Sequence, residues 1–232
     1  MKNLRFEELN LSSEVLKAIE DKGFEETTPI QAQAIPCIME GRDVIGQAQT
    51  GTGKTAAFGI PILEKLNHEE KVIQAMIICP TRELAIQVAE EIRELGKFKK
   101  GIGVLPIYGG QPIDRQIKAL QKRPQIIVGT PGRVMDHMNR GTLKMDKVRM
   151  VVLDEADEML DMGFIDDIKY ITSRLNEKRQ SLFFSATMNR KSEDIANTLL
   201  KNPVRVEIET QQAGKNVDQD IVRVRSREEK VA

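Results

Sequence analysis

Short, wholly apolar runs recur along the chain, separated by longer stretches in which apolar residues return every three or four positions. A run ending at Val44-Ile45, then Ala75–Cys79, Gly103–Tyr108, Ile126–Val128, Met150–Leu153 and Ser181–Phe184, predict buried strands, and Val204–Ile208 closes the set as an alternating one. Between them the pattern predicts helices. The first is capped by Ser12, lined by Val15, Leu16 and Ile19, and ended by Gly23. A second has Pro29 near its start. A third opens at Lys54-Thr55, and Pro61 is expected to kink it or cut it short. Others run from Arg82 to Gly96, from Gln111 to Gln121, from Ile165 to Leu175 and from about Asn189 to Leu200. Apolar strands alternating with amphipathic helices imply an α/β fold: a mostly parallel sheet with helices on both faces. Such sheets bind ligands beyond the carboxyl ends of their strands.

From Thr210 the text turns polar and loses its period, and Ile221–Val224 then reads as a strand that begins something new. The division expected is one domain over residues 1–208 and, over 209–232, a linker leading into a second domain.

At 232 residues, with Lys+Arg and Asp+Glu both 35, global charge gives no sign of a nucleic-acid partner, so any basic surface must be local. Cys37 and Cys79 lie in apolar surroundings and read as small buried hydrophobes in a reducing compartment rather than as a bridge or metal pair. There is no apolar signal core at the N-terminus and no run that would span a bilayer, so a cytoplasmic protein without a membrane partner is expected.

Candidate chemistry begins at VIGQAQTGTGKT. A strand, the loop Ala48-Gln49-Thr50-Gly51-Thr52-Gly53, and a helix opening at Lys54-Thr55 make a phosphate cradle: loop N–H groups and the helix dipole favour an anion, and Lys54 reaches the outer phosphates. The hydroxyl of Thr55 is placed for a magnesium ion. Ala48 stands where the general phosphate-loop pattern has its first glycine. Asp154-Glu155-Ala156-Asp157 follows a buried strand; Asp154 can hold the metal opposite Thr55, and Glu155 can polarise an attacking water. The competing reading is an acidic helix start that favours the dipole.

Other stretches stay open on residues alone. Gly23–Gln31 reads either as a loop with a buried Phe24 before a helix, or as Phe24 offering a stacking face and Gln31 an amide for the adenine edge. Thr130–Arg133 suits a turn before a helix, and Pro80–Ala85 suits a helix start.

Taken together and in order, Gln31 after GFEETTPI, AQTGTGKT, PTRELA, Gly109-Gly110, TPGR, DEAD and SAT closely resemble the N-terminal RecA-like half of DEAD-box ATP-dependent RNA helicases, with the look of a bacterial member. The resemblance covers residues 1 to about 208, with a Q motif over about 4–32 that includes Phe6. It implies a RecA-like P-loop NTPase domain using ATP and Mg2+, and an RNA-dependent ATPase that locally separates duplexes. Phe24 and Gln31 would read adenine; Ala48 to Thr55 would hold ATP. Lys54, Asp154 and Glu155 would be catalytic, with Thr55 and Asp154 at the metal. Ser185 and Thr187, with Asp157 as hydrogen-bond partner, would couple hydrolysis to strand separation. Pro80, Thr81, Arg82, Gly110, Thr130, Gly132 and Arg133 would meet the RNA backbone, a sequence-tolerant choice of short polar side chains, glycines and arginines.

The chain departs from the family at Thr27, where proline is usual. No motif of the family's second RecA-like lobe is present, and an arginine from such a lobe is worth on the order of 10³–10⁵ in rate. This chain is therefore expected to bind nucleotide weakly, to be nearly inactive in hydrolysis, and not to unwind a duplex unaided. Two other classes compete: an RNA- or protein-binding module that uses nucleotide only as a signal, and a different P-loop motor. Gln31 in its TPIQ context and the alanine of DEAD argue against the second.

Overall fold

Along each core strand, successive side chains go to opposite sides, and the two sides make two separate cores. The computed structural model describes residues 4–208. Its strands are β1 (Val44–Gln47), β2 (Ala75–Ile78), β3 (Val104–Ile107), β4 (Ile126–Gly129), β5 (Met150–Leu153), β6 (Gln180–Ser185) and β7 (Val204–Glu207). They form one seven-stranded sheet in the order β3-β4-β2-β5-β6-β1-β7, and every pairing is parallel. Val44, Ile77, Val128, Val152 and Phe184 enter one core; Ile45, Ile78, Ile127, Val151 and Phe183 enter the other.

The first core is covered by α1 (Ser13–Asp21), α2 (Pro29–Met39), α3 (Lys54–Lys65) and α4 (Arg82–Leu95). The second is covered by α6 (Pro131–Asn139), α7 (Ala156–Asp161), α8 (Ile165–Ser173) and α9 (Arg190–Leu199), with α5 (Ile113–Leu120) at its margin. This is the α/β architecture the pattern implies. The predicted strand over 221–224 and the linker lie outside the described residues.

Three local readings are corrected. Ser12 sits at the N-cap of α1 but makes no cap bond; its hydroxyl donates to the Glu64 carboxylate at 2.7 Å, a charged acceptor stronger than a backbone partner. Of the two outcomes expected at Pro61, an end to the helix does not occur: α3 runs on to Lys65 with Pro61 inside it. Every residue from Ala56 to Leu63 in that helix is buried, so the surrounding apolar contacts outweigh the one hydrogen bond the ring removes. Phe24 is not buried: it is 36% exposed. Cys79 is buried as expected, while Cys37 is half-buried; both are free thiols.

Among the described residues no helix is long and apolar enough to cross a membrane.

Candidate functional site

All the candidate loops lie at the carboxyl ends of the strands, and they divide along the rim without interleaving. The phosphate loop follows β1, DEAD follows β5 and SAT ends β6, so these three neighbour one another. PTRELA follows β2, Gly109-Gly110 follows β3 and TPGR follows β4, on the other side.

The phosphate loop carries its glycines where the backbone turns left-handed: Gly51 at φ +78° and Gly53, the N-cap of α3, at φ +87°. Gly53 is also fixed by closeness, since a Cβ there would lie 2.3 Å from Gln31 Nε2. Gln31, 3% exposed, donates that amide to the Gly53 carbonyl at 3.1 Å and accepts the Thr28 N–H at 2.9 Å. Gln31 is thus tied directly to the loop after β1, with Phe24 exposed nearby in sequence. Lys54 is 6% exposed and, within the protein, donates to the Ala48 carbonyl at 2.9 Å across the loop. Thr52 closes the same loop by donating to the Gln49 carbonyl at 2.6 Å.

Facing Lys54, Asp154 is 3% exposed and accepts the Glu155 N–H at 3.1 Å. Burial pushes its carboxyl up to about 6 despite the pull of Lys54. Glu155 adopts φ +50° at the N-cap of α7, a left-handed conformation that non-glycine residues rarely hold. Burial, a hydrogen bond with Glu158 and the charge of Asp154 push its carboxyl up to about 7. Two adjacent carboxyls are therefore short of positive charge at neutral pH. Thr55 and Asp154 offer the hard oxygen donors that Mg2+ prefers, and Mg2+ characteristically takes one or two protein ligands plus substrate phosphates. Among the described residues no three-residue cluster of His, Cys, Asp or Glu could hold a metal ion.

The third loop is tied to the second. Thr187 donates both its N–H and its hydroxyl to Asp157 Oδ2, each at 2.8 Å, and Ser185 Oγ donates to the Thr187 carbonyl at 2.5 Å. Burial opposes ionisation of Asp157, but the Thr187 and Ser185 hydrogen bonds prevail and hold its carboxyl below the usual range.

On the other side of the rim, helix N-termini dominate. Thr81 caps α4, its hydroxyl accepting the Leu84 N–H at 3.2 Å, and Thr130 stands at the N-cap of α6 with Pro131 behind it. The Arg82 guanidinium lies 5.0 Å over the Tyr108 ring, and Gly110, at φ +82°, brings its backbone alongside Arg82. A Cβ on Gly132 would meet nothing within 4 Å, so that backbone is open to approach. Arg133 behaves differently from its neighbours. Its side chain is 13% exposed and points inward, donating to the Gln111 carbonyl at 2.9 Å and to Gln116 Oε1 at 3.1 Å.

Residues 28–195, well over half the chain, match the family described as DEAD/DEAH box helicase. The chain belongs to that family. It is 59% identical over 207 residues to the DEAD-box ATP-dependent RNA helicase CshA of Geobacillus kaustophilus, covering 89% of this chain and 44% of that protein. It is 55% identical over 225 residues to the CshA of Bacillus subtilis, covering 97% of this chain and 45% of that one. The chain thus spans less than half the length of these relatives. Among solved structures, a DEAD box protein from the hyperthermophile Methanococcus jannaschii superposes with a TM-score of 0.86 at 47% identity, over 90% of this chain and 57% of that one.

Within this DEAD-box domain, Thr27 has a structural use that proline lacks. It is 1% exposed, and its N–H and hydroxyl both donate to the Leu4 carbonyl, at 2.9 and 2.8 Å, pinning the segment ahead of Phe6. Two residues near the sites escaped sequence reading. Glu91 lies on α4 beside Thr55: burial raises its carboxyl, while Lys22 and the Thr55 hydroxyl pull it back. Gln116 is buried at 2%. Each interrupts the apolar stripe of its helix, Glu91 three after Val88 and four before Leu95, Gln116 three after Ile113 and four before Leu120, so counting apolar residues alone passes over them.

Proposed function

We propose that this chain is the ATP-binding half of an ATP-dependent RNA helicase, taking Mg·ATP at the β1–β5–β6 side of the rim and RNA backbone at the β2–β3–β4 side. The observation that carries the reading is the convergence of a buried lysine, Lys54, with two adjacent carboxyls, buried Asp154 and half-buried Glu155, whose ionisation is disfavoured until positive charge arrives. In this reading Lys54 exchanges the Ala48 carbonyl for the β- and γ-phosphates. Thr55 and Asp154 hold the metal, which supplies charge neutralisation on the phosphates. Glu155 orients the attacking water and takes its proton, a role its raised affinity for protons suits. Phe24, exposed, stacks on adenine while Gln31, already bonded to Gly53, reads its edge and reports occupancy to the loop.

On the RNA side, the N-termini of α4 and α6 and the glycine backbone at Gly110 and Gly132 offer N–H groups to phosphates. The Asp157–Thr187 bonds connect the acidic loop to SAT and form the proposed coupling element. A second RecA-like lobe completes the site, and a cytoplasmic location suits an RNA substrate.

The test is steady-state ATP hydrolysis by the 232-residue chain, with and without single-stranded RNA, beside a Lys54→Ala control and a nucleotide-binding titration. Nucleotide binding with negligible turnover that RNA does not raise is expected. RNA-stimulated turnover abolished by Lys54→Ala would show that this half suffices by itself.

A further inference from the structure

The RNA-side loops come from three different strands, yet one buried side chain touches or reaches all of them. Gln116, on α5, is 2% exposed and is the sole buried residue of that helix. Its amide nitrogen donates to the Tyr108 carbonyl at 3.0 Å and to Gln111 Oε1 at 2.9 Å, clamping the two ends of the Gly109-Gly110 loop. Its amide oxygen accepts from Arg133 at 3.1 Å and lies 3.0 Å from His137 Nε2, both on α6. The same Arg133 guanidinium donates to the Gln111 carbonyl, so loop and helix are joined twice. Tyr108, held by its carbonyl, places its ring under the Arg82 guanidinium at the start of α4.

Satisfying the oxygen of Gln116 requires a proton on His137 Nε2. The other ring nitrogen then accepts from the Thr142 hydroxyl, 2.8 Å away. Burial and the charge of Arg133 both favour that neutral imidazole. Every polar atom of the Gln116 amide and the His137 ring thus has a partner, the condition under which a buried polar network fixes one geometry rather than weakening the fold.

We propose that Gln116 is a positioning residue for RNA: it locks the Gly109-Gly110 loop, the TPGR helix start and, through Tyr108, Arg82 into one preset surface. Arg133 serves this surface from beneath, as a strut rather than as a phosphate ligand. The inference rests on the RNA reading given above.

Two variants test it with different signatures. Gln116→Met keeps length and volume but no hydrogen bond; Gln116→Glu keeps acceptors for Arg133 and His137 but turns an oxygen toward the Tyr108 carbonyl. Amide hydrogen exchange, single-stranded RNA affinity and Mg·ADP affinity are measured for each. Gln116→Met is expected to speed exchange in both 108–111 and 130–133 and to weaken RNA binding by about tenfold, with Mg·ADP affinity unchanged. Gln116→Glu is expected to loosen 108–111 and leave 130–133 protected. Unchanged exchange in both variants, or loosened loops with undiminished RNA affinity, would overturn the proposal. Should the wild-type chain bind no RNA, the RNA reading falls and the positioning role falls with it, whereas weakened binding together with loosened loops in the variants, the wild type still binding, upholds both.

Discussion

Asp43 and Asp154 are both carboxylates buried at strand ends of one sheet, but they stand at opposite rims. Asp43, just before β1, gives each oxygen a backbone partner: the Ser181 N–H at 2.8 Å and the Lys201 N–H at 2.7 Å. Along the same rim the amides of Gln74 and Gln180 bond backbone groups of Asn67, Ile38 and Arg42, and Gln125 Oε1 accepts the Gly103 N–H while its amide nitrogen stays unpaired. Asp154, just after β5, accepts the N–H of its own neighbour and otherwise faces Lys54 and two further carboxylates. At the N-terminal rim most buried polarity, Gln125 Nε2 and Arg179 Nε excepted, is consumed by the protein itself and fastens the strand ends. At the C-terminal rim it is left partly unanswered, and in the proposed function a ligand supplies what is missing.

The largest effect that contrast predicts is at Lys54. Lys54→Ala removes the positive charge proposed to meet the phosphates, and Mg·ATP affinity by calorimetry should fall at least about a hundredfold, about 3 kcal/mol. Retained affinity would detach this rim from nucleotide.

Next, the two aspartates should respond with opposite sign. Asp43→Ala leaves the buried Ser181 N–H and the partly buried Lys201 N–H unpaired, and should cost about 2–4 kcal/mol in urea unfolding. Asp154→Asn removes a charge that burial disfavours. Its carboxyl is raised from 3.8 to about 6, so the native state holds a proton that the unfolded chain has lost. The penalty is absent below the unfolded value, grows as pH rises through the folded one, and is constant above it. Asp154→Asn should therefore match wild type near pH 4 and exceed it by roughly 1–3 kcal/mol near pH 8, while losing Mg·ATP affinity. Equal stability at both pH values would mean that Asp154 is as well satisfied as Asp43.

The smallest effect is at Phe24. Because its ring is exposed, Phe24→Ala should leave unfolding within about 0.5 kcal/mol of wild type. It should weaken ADP binding by about three- to tenfold through lost stacking. A large loss of stability would restore the buried-loop reading of this residue.

The layered fold was legible because strand and helix periods are written in apolar residues, and both cores follow them. Of the candidate loops, all could be placed at the correct strand ends from chain order alone. What stayed hidden depends on which partner a polar atom finds. Ser12 carries a cap residue's chemistry, yet Glu64, 52 positions away, takes its hydroxyl. Pro61 breaks a helix by local rules, but α3 is enclosed by the core on the turns around it. Helix α7, at six residues, is too short to show a period. Gln116 and Arg133 read as surface residues, and only the folded loop brings them together. TPGR marked Arg133 as a place of interest without revealing that its guanidinium points inward.

The most direct test of the unanswered rim is the proton balance of nucleotide binding. Mg·ADP is titrated into the chain by calorimetry near pH 6 in two buffers of different ionisation enthalpy. Binding should then force Asp154 and Glu155 to ionise and release protons, and the release should vanish near pH 8.5, where both are already charged. Tight binding near pH 6 without any proton release would contradict the account, because the carboxyl pair would then have had its charge satisfied before the ligand arrived.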